Sequence, residues 1–135
     1  MDQRVTDLES AREYFKGDVF ATEVTGIVIE EVRDGYARVR LRVTDAHRNA
    51  EGRVMGAVYF TMGDFAFACA ANYRKGITYT AQSQIYFLAP AEGETLFAEA
   101  RRIRDGKQSC VYEISIIDDR GTEAARMTAS GLRRG

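Results

Sequence analysis

Two groups in one stretch, residues 47–72, are of types and at a spacing that can do chemistry. Asp64 is a lone carboxylate in a run of apolar residues that includes Val58, Tyr59, Phe60, Met62, Phe65 and Phe67. A charge in such surroundings is costly unless it is paired, hydrogen-bonded or put to use. Gly56 precedes Asp64 by eight residues, near the start of the helix that this run implies. The first turn of a helix offers unpaired N–H groups and the positive end of its dipole, and a glycine there lets a ligand come close. Such N–H groups stabilise an oxyanion, and a carboxylate beside them serves as base or nucleophile.

The two groups cannot meet within one helix. Eight residues of helix rise about 12 Å, at about 1.5 Å per residue. A reacting carbonyl needs base and donors within about 3 Å of its own atoms. Cooperation therefore requires the Asp64 of one subunit beside the helix start of another. Two antiparallel helices in a symmetric dimer achieve this twice. A catalytic reading of the helix thus predicts a homodimer; it does not separate that dimer from the further expectation, a tetramer built as a dimer of dimers. The alternative is an Asp64 hydrogen-bonded within a helix interface, with no reaction.

Other chemistries find little support. One histidine, His47, cannot make a multi-histidine metal site, and no Cys/His/Asp cluster has ligand spacing, so no metal and no cofactor is expected. There is no G-x-S-x-G elbow and no P-loop. His47 lies in a polar connection and reads as a surface or capping residue. Cys69 and Cys110 lack C-x-x-C spacing and read as reduced core residues, which suits a cytoplasmic location. With Lys+Arg 19 against Asp+Glu 20, the net charge of -1 argues against nucleic acid as a partner. The first ten residues hold Asp2, Arg4, Asp7 and Glu9 and no apolar run, so no signal peptide is expected. The 54–71 stretch nears transmembrane length but contains Gly56, Gly63 and Asp64, which argues against a membrane span.

The elements that must position Asp64 and Gly56 follow from periodicity. At 135 residues, 45% hydrophobic and 29% charged, the chain reads as one globular domain over residues 1–135. Residues 6–16 predict a short amphipathic helix capped by Thr6 or Asp7 and ended by Gly17. Residues 22–32 predict a strand, and Asp34-Gly35 a hairpin turn. Residues 36–43 alternate: Ala37, Val39, Leu41 and Val43 face one way, while Tyr36, Arg38, Arg40 and Arg42 face the other. That second face is a solvated sheet surface or, as the sharper alternative, a phosphate-facing one. A polar connection over 44–53 leads to the central helix, from about 54 to about Arg74, with Gly76 at its exit. Strands are expected over 77–89, 94–105, 108–118 and 122–133, with turns at Asp105-Gly106 and Asp119–Gly121. A helix apolar on nearly every side needs cover, and a curved antiparallel sheet wrapped around it supplies that cover. The fold class is α+β: a long central helix wrapped by about six antiparallel strands, with a short N-terminal helix.

The pattern H-x-N-x-x-G-x-x-M-G-A-x-x-F-T-x-x-D, from His47 to Asp64, resembles the segment H-x-N-x-x-G-x-x-H-G-G-x-x-F-T-L-A-D of hotdog-fold thioesterases. Q-I-Y-F-L-A-P and G-K-Q-S-C-V-Y-E-I-S-I are similar to two later strands of that superfamily, and the likeness spans nearly the whole chain. The branch it most resembles is the phenylacetate-pathway, or PaaI-like, acyl-CoA thioesterases. The resemblance implies that Asp64 is the catalytic carboxylate, that Gly56 supplies the oxyanion-hole N–H, and that Asn49 helps place the carbonyl or the water. It puts a Ser/Thr that assists the water at Thr80. It also implies that carboxylate and glycine come from different subunits, as the helix-rise argument requires. The family's H-G-G triplet is Met55-Gly56-Ala57 here: the backbone donor is kept, the histidine is lost, and Ala57 adds a methyl group.

The implied activity is hydrolysis of an aryl- or medium-chain acyl-CoA thioester. The carbonyl points at the Gly56 N–H, the partner's Asp64 activates water or attacks directly, and the coenzyme A thiolate leaves. Met55, Ala57, Tyr59, Phe60 and Thr80 are the candidate substrate-binding residues, with Phe65 another for the acyl pocket; for the aromatic residues a purely structural core role is the alternative. Arg101, Arg102 and Arg104, or Arg133-Arg134, are candidates for the nucleotide phosphates, with a merely solvated role as the alternative. A rival function is an acyl-CoA-binding or regulatory module of the same fold, which Met55 and Ala57 favour. A hotdog dehydratase is disfavoured, because His47 lies outside the H-G-G position.

Overall fold

A computed structural model of the chain describes residues 4–134. Helix α1 spans Leu8–Phe15; Asp7 caps it, accepting from the Ser10 N–H while the Ser10 hydroxyl closes the capping box. Strands β1 (Val28–Arg33) and β2 (Tyr36–Arg42) form a hairpin around the expected Asp34-Gly35 turn. Helix α2 is Gly56–Ala71. Four strands follow: β3 (Thr78–Phe87), β4 (Thr95–Asp105), β5 (Ser109–Asp118) and β6 (Glu123–Arg133). All pairings are antiparallel, and the sheet order is β1-β2-β4-β5-β6-β3. The sheet encloses α2, whose Met62, Ala66, Phe67 and Cys69 are fully buried. They join a core with Val39, Leu96, Ile114 and Ala125 from the sheet. Among the described residues no helix is long and apolar enough to cross a membrane. Cys69 and Cys110 are free and buried.

The strand expected over 22–32 is corrected. Phe20–Thr25 form a π-helical turn, and β1 begins only at Val28. The Asp18 carbonyl accepts from both the N–H and the hydroxyl of Thr22, which pulls the chain into a turn. Gly26, at φ 92°, then releases it into the strand. Val24, whose alternation with Thr22 imitated a strand, is 68% exposed.

Helix α2 is shorter than expected at both ends. Val54 instead bridges to Arg48, and the Met55 N–H donates to the His47 carbonyl. At the far end Asn72 caps the helix: its amide donates to the Ala68 and Thr78 carbonyls, and its oxygen accepts from the Thr78 N–H.

The outer face of β2 is not simply solvated. Arg38 and Arg40 pair with Glu30 and Arg42 with Glu94, so this face offers no row of free cations. Tyr36 is buried, with the Arg33 and Arg101 guanidinium groups over its ring and its hydroxyl donating to Glu99.

One buried carboxylate ties the β3–β4 loop to the end of β5. Asp118 Oδ2 accepts from the N–H groups of Glu92 and Gly93, and Oδ1 from those of Arg120 and Thr122. Burial alone pushes this carboxyl up, and the four donors together outweigh it and hold it down, at about 2.

Candidate active site

Asp64 lies midway along α2 and is not stranded in the core. Its Oδ1 accepts from the Thr80 hydroxyl at 2.8 Å. Thr80 stands next to an irregularity in β3, where pairing with β6 steps from Thr80 to Gln82. Thr80, expected to assist the water, thus stands beside the carboxylate. Asp64 opens on a cavity of about 390 Å³ whose wall is mostly apolar: Val19, Phe20, Ala21, Phe60, Phe65 and Ala68, with Thr61 and Asp18. Phe60 and Phe65, two candidates for an acyl pocket, both line this cavity.

Gly56 opens elsewhere. It lines a second cavity of about 290 Å³ with Asn49, Arg53, Val54, Tyr59, Phe87, Leu88, Ala89 and Pro90. The two cavities share no lining residue. Among the described residues the Gly56 N–H has no hydrogen-bond acceptor, as expected of the first residue of a helix. The Phe87 ring covers the Gly56 Cα so closely that an added Cβ would lie 3.1 Å from it.

The loop before α2 is built to present these groups. Asn49 Oδ1 accepts from the N–H groups of Glu51 and Arg53, which leaves the Asn49 NH2 as the donor available to the cavity. His47 is buried, contrary to a surface role, although capping is part of what it does. Its Nδ1 accepts from the Thr44 N–H, and its Nε2 donates to the Thr25 carbonyl at 2.7 Å, a tautomer set by these partners. His47 thereby ties the π-helical turn, which walls the Asp64 cavity, to the loop that walls the Gly56 cavity.

The remaining expected site residues are dispersed. Tyr59 lines the Gly56 cavity, not the Asp64 one, and its hydroxyl accepts from the Ala91 N–H. Met55 is 53% exposed and, like Ala57, lines neither cavity; the Ala57 carbonyl accepts from the Thr61 hydroxyl. Of the arginines considered for phosphates, Arg101 pairs with Glu99, Arg102 with Asp34 and Arg133 with Asp105. Among the lining residues that sequence reasoning missed are Asp18–Ala21, Arg53, Phe87 and Leu88. Asp18–Ala21 are brought to Asp64 by a turn that reads as part of a strand, and the sole local signal was the Gly17-Asp18 break after α1.

A long helix enclosed by an antiparallel sheet in this strand order defines the hotdog class. The comparisons agree. The profile described as "Thioesterase superfamily" matches residues 51–125. The acyl-coenzyme A thioesterase PaaI of Escherichia coli K12 is 30% identical over 128 residues, which cover 94% of this chain and 91% of PaaI. A putative esterase of Archaeoglobus fulgidus is 30% identical over 110 residues, 81% of this chain and 71% of the esterase. The solved structure of E. coli PaaI superposes with a TM-score of 0.82 at 27% identity, covering 95% of this chain and 96% of that one. A hypothetical thioesterase of Streptococcus pneumoniae TIGR4, solved with coenzyme A, shares the fold at a TM-score of 0.82 and 22% identity, covering 90% and 97%. The chain belongs to the thioesterase superfamily, as a PaaI-like thioester hydrolase of hotdog fold.

Proposed function

We propose that this protein hydrolyses acyl-CoA thioesters at sites shared between two subunits. The observation that carries the reading is the pair of separate cavities on one helix: a hydrogen-bonded carboxylate opens on one and a free N–H end on the other. Each is half of a thioesterase site. The E. coli relative named as an acyl-coenzyme A thioesterase supports the substrate class.

Strand β3 supplies a means of joining the halves. It forms one edge of the sheet, and its edge is unpaired among the described residues. Tyr79, Tyr86 and Phe87 on it are 47%, 61% and 58% exposed. An unpaired edge strand of ten residues is a template for pairing with another chain. Along β3, Thr80 marks the Asp64 end and Phe87 the Gly56 end. Antiparallel pairing of β3 with its own copy about a twofold axis between Ser83 and Gln84 sets Thr80 against the partner's Phe87. Asp64 of one subunit then lies near Gly56 of the other, twice per dimer.

In the composite site the thioester carbonyl accepts from the Gly56 N–H, with the Asn49 NH2 beside it. The acyl group enters the apolar cavity of the subunit that contributes Asp64. Asp64, oriented by Thr80, removes a proton from the attacking water or attacks the carbonyl carbon itself. The tetrahedral intermediate, held by the N–H donors, collapses with departure of the coenzyme A thiolate; water attack gives the free acid directly, whereas direct attack leaves a mixed anhydride on Asp64 that water then hydrolyses to the acid and the free carboxylate.

Thiol release from a panel of acyl-CoA substrates tests this. Asp64→Ala is expected to lower kcat by about 100-fold or more, in line with loss of a positioned base. A wild type that binds acyl-CoA but releases no thiol would point to the binding module instead. Full activity in Asp64→Ala would remove Asp64 from the mechanism, and a monomer by light scattering at micromolar concentration would refute the shared site.

A further inference from the structure

The wall of the Asp64 cavity contains a second carboxylate that the proposed mechanism does not use. Asp18 lies between α1 and the π-helical turn, and among the described residues its carboxylate has no hydrogen-bond or ion-pair partner. Its backbone is fixed: the Asp18 N–H donates to the Phe15 carbonyl, and its own carbonyl anchors Thr22. The side chain therefore stands on a built wall, not on a free loop. No lysine, arginine or histidine lines the same cavity.

We propose that Asp18 is a specificity-determining residue, which makes the acyl cavity reject acyl groups ending in a carboxylate and accept uncharged ones. The inference rests on the reading above, in which this cavity takes the acyl group. The two carboxylates already repel one another. Burial first, and the charge of Asp64 second, hold Asp18 above the ordinary carboxylate range. An acyl tail bearing a further carboxylate would enter the same field with no lysine, arginine or histidine in the wall of that cavity. Like charges about 6 Å apart in an effective dielectric of about 20 repel by an amount equivalent to roughly 100-fold in affinity. An uncharged tail meets instead Phe20, Phe60, Phe65 and Ala68.

The test compares kcat/KM for hexanoyl-CoA and adipoyl-CoA, which are matched in chain length and differ in the terminal carboxylate. The wild type is expected to favour hexanoyl-CoA by about 100-fold. Asp18→Asn keeps the shape without the charge and should shrink that preference at least tenfold, while Asp18→Glu should retain it. If Asp18→Asn does not fold, Asp18→Ser reads the same ratio. Hydrolysis of both thioesters by the wild type within about threefold of each other overturns the proposal. So does a preference that Asp18→Asn leaves unchanged. If the wild type hydrolyses neither thioester, the wider acyl-CoA panel decides the catalytic reading separately. Calorimetric binding of the same two thioesters to the wild type and Asp18→Asn then decides the role of Asp18, equal discrimination by both proteins overturning it.

Discussion

Replacing Asp118 by asparagine asks whether one buried anion holds the loop that walls the Gly56 cavity. Asp118 is 2% exposed, and its two oxygens take four backbone N–H groups, two of them from the β3–β4 loop. Its carboxyl is depressed from the ordinary 3.8 to about 2. A carboxyl depressed in the folded chain contributes stability that is present above its ordinary value and is lost as pH falls through the native one. The shift corresponds to about 2 kcal/mol near neutral pH and about half of that near pH ~3. Asparagine offers one acceptor oxygen where aspartate offers two. At least one pair of N–H groups then loses its acceptor, at about 1–3 kcal/mol. Both figures describe the same four N–H groups and are not summed: the expected loss is about 2–3 kcal/mol near neutral pH, smaller by about 1 kcal/mol near pH ~3. Urea unfolding of wild type and Asp118→Asn at the two pH values measures it, at one protein concentration because an oligomer's stability depends on it. A loss below about 1 kcal/mol, or one that does not change with pH, would refute the reasoning. Because Leu88, Ala89 and Pro90 wall the Gly56 cavity, KM should rise in the same variant.

Two further perturbations address the site itself. Thr80→Val removes the hydroxyl that donates to Asp64 Oδ1; kcat should fall by about tenfold or more with KM little changed, as for loss of a group that orients a base. Gly56→Ala places a methyl group 3.1 Å from the Phe87 ring. The three atoms nearest that methyl all belong to the Phe87 side chain, which can shift where backbone cannot. The fold should therefore survive while kcat/KM drops, and Phe87→Leu in the same chain should recover part of the loss.

The central helix was legible because its chemistry is unusual: an all-round apolar run with one carboxylate has few places in a fold other than the middle. The sheet was legible where alternation was strict, as in Ala37, Val39 and Leu41, which are buried. The separation of Gly56 from Asp64 followed from helix rise alone. What sequence could not give is what long-range packing decides. Thr22 and Val24 alternate as in a strand, yet the Asp18 carbonyl captures Thr22 and bends the segment. That turn carries Asp18, Val19 and Phe20 to the Asp64 cavity, a destination that the Gly17-Asp18 break after α1 does not reveal by itself. His47 looked like a surface residue because its neighbours in sequence are polar; its burial depends on the Thr25 carbonyl, far away along the chain. Met55 looked like part of a pocket by position in the motif, but at the helix threshold its side chain turns to solvent.

The two cavities of α2, with no residue in common, make inheritance of function unusual in the proposed dimer. A chain lacking Asp64 and a chain with a blocked Gly56 are each inactive as homodimers. Mixed together, they form a heterodimer in which one site collects both lesions and the other receives neither. Half of the sites in each such heterodimer are then intact, and activity should return on mixing two dead proteins under conditions that let subunits exchange. In such a dimer, a lesion in one chain would disable a site that the neighbouring chain completes.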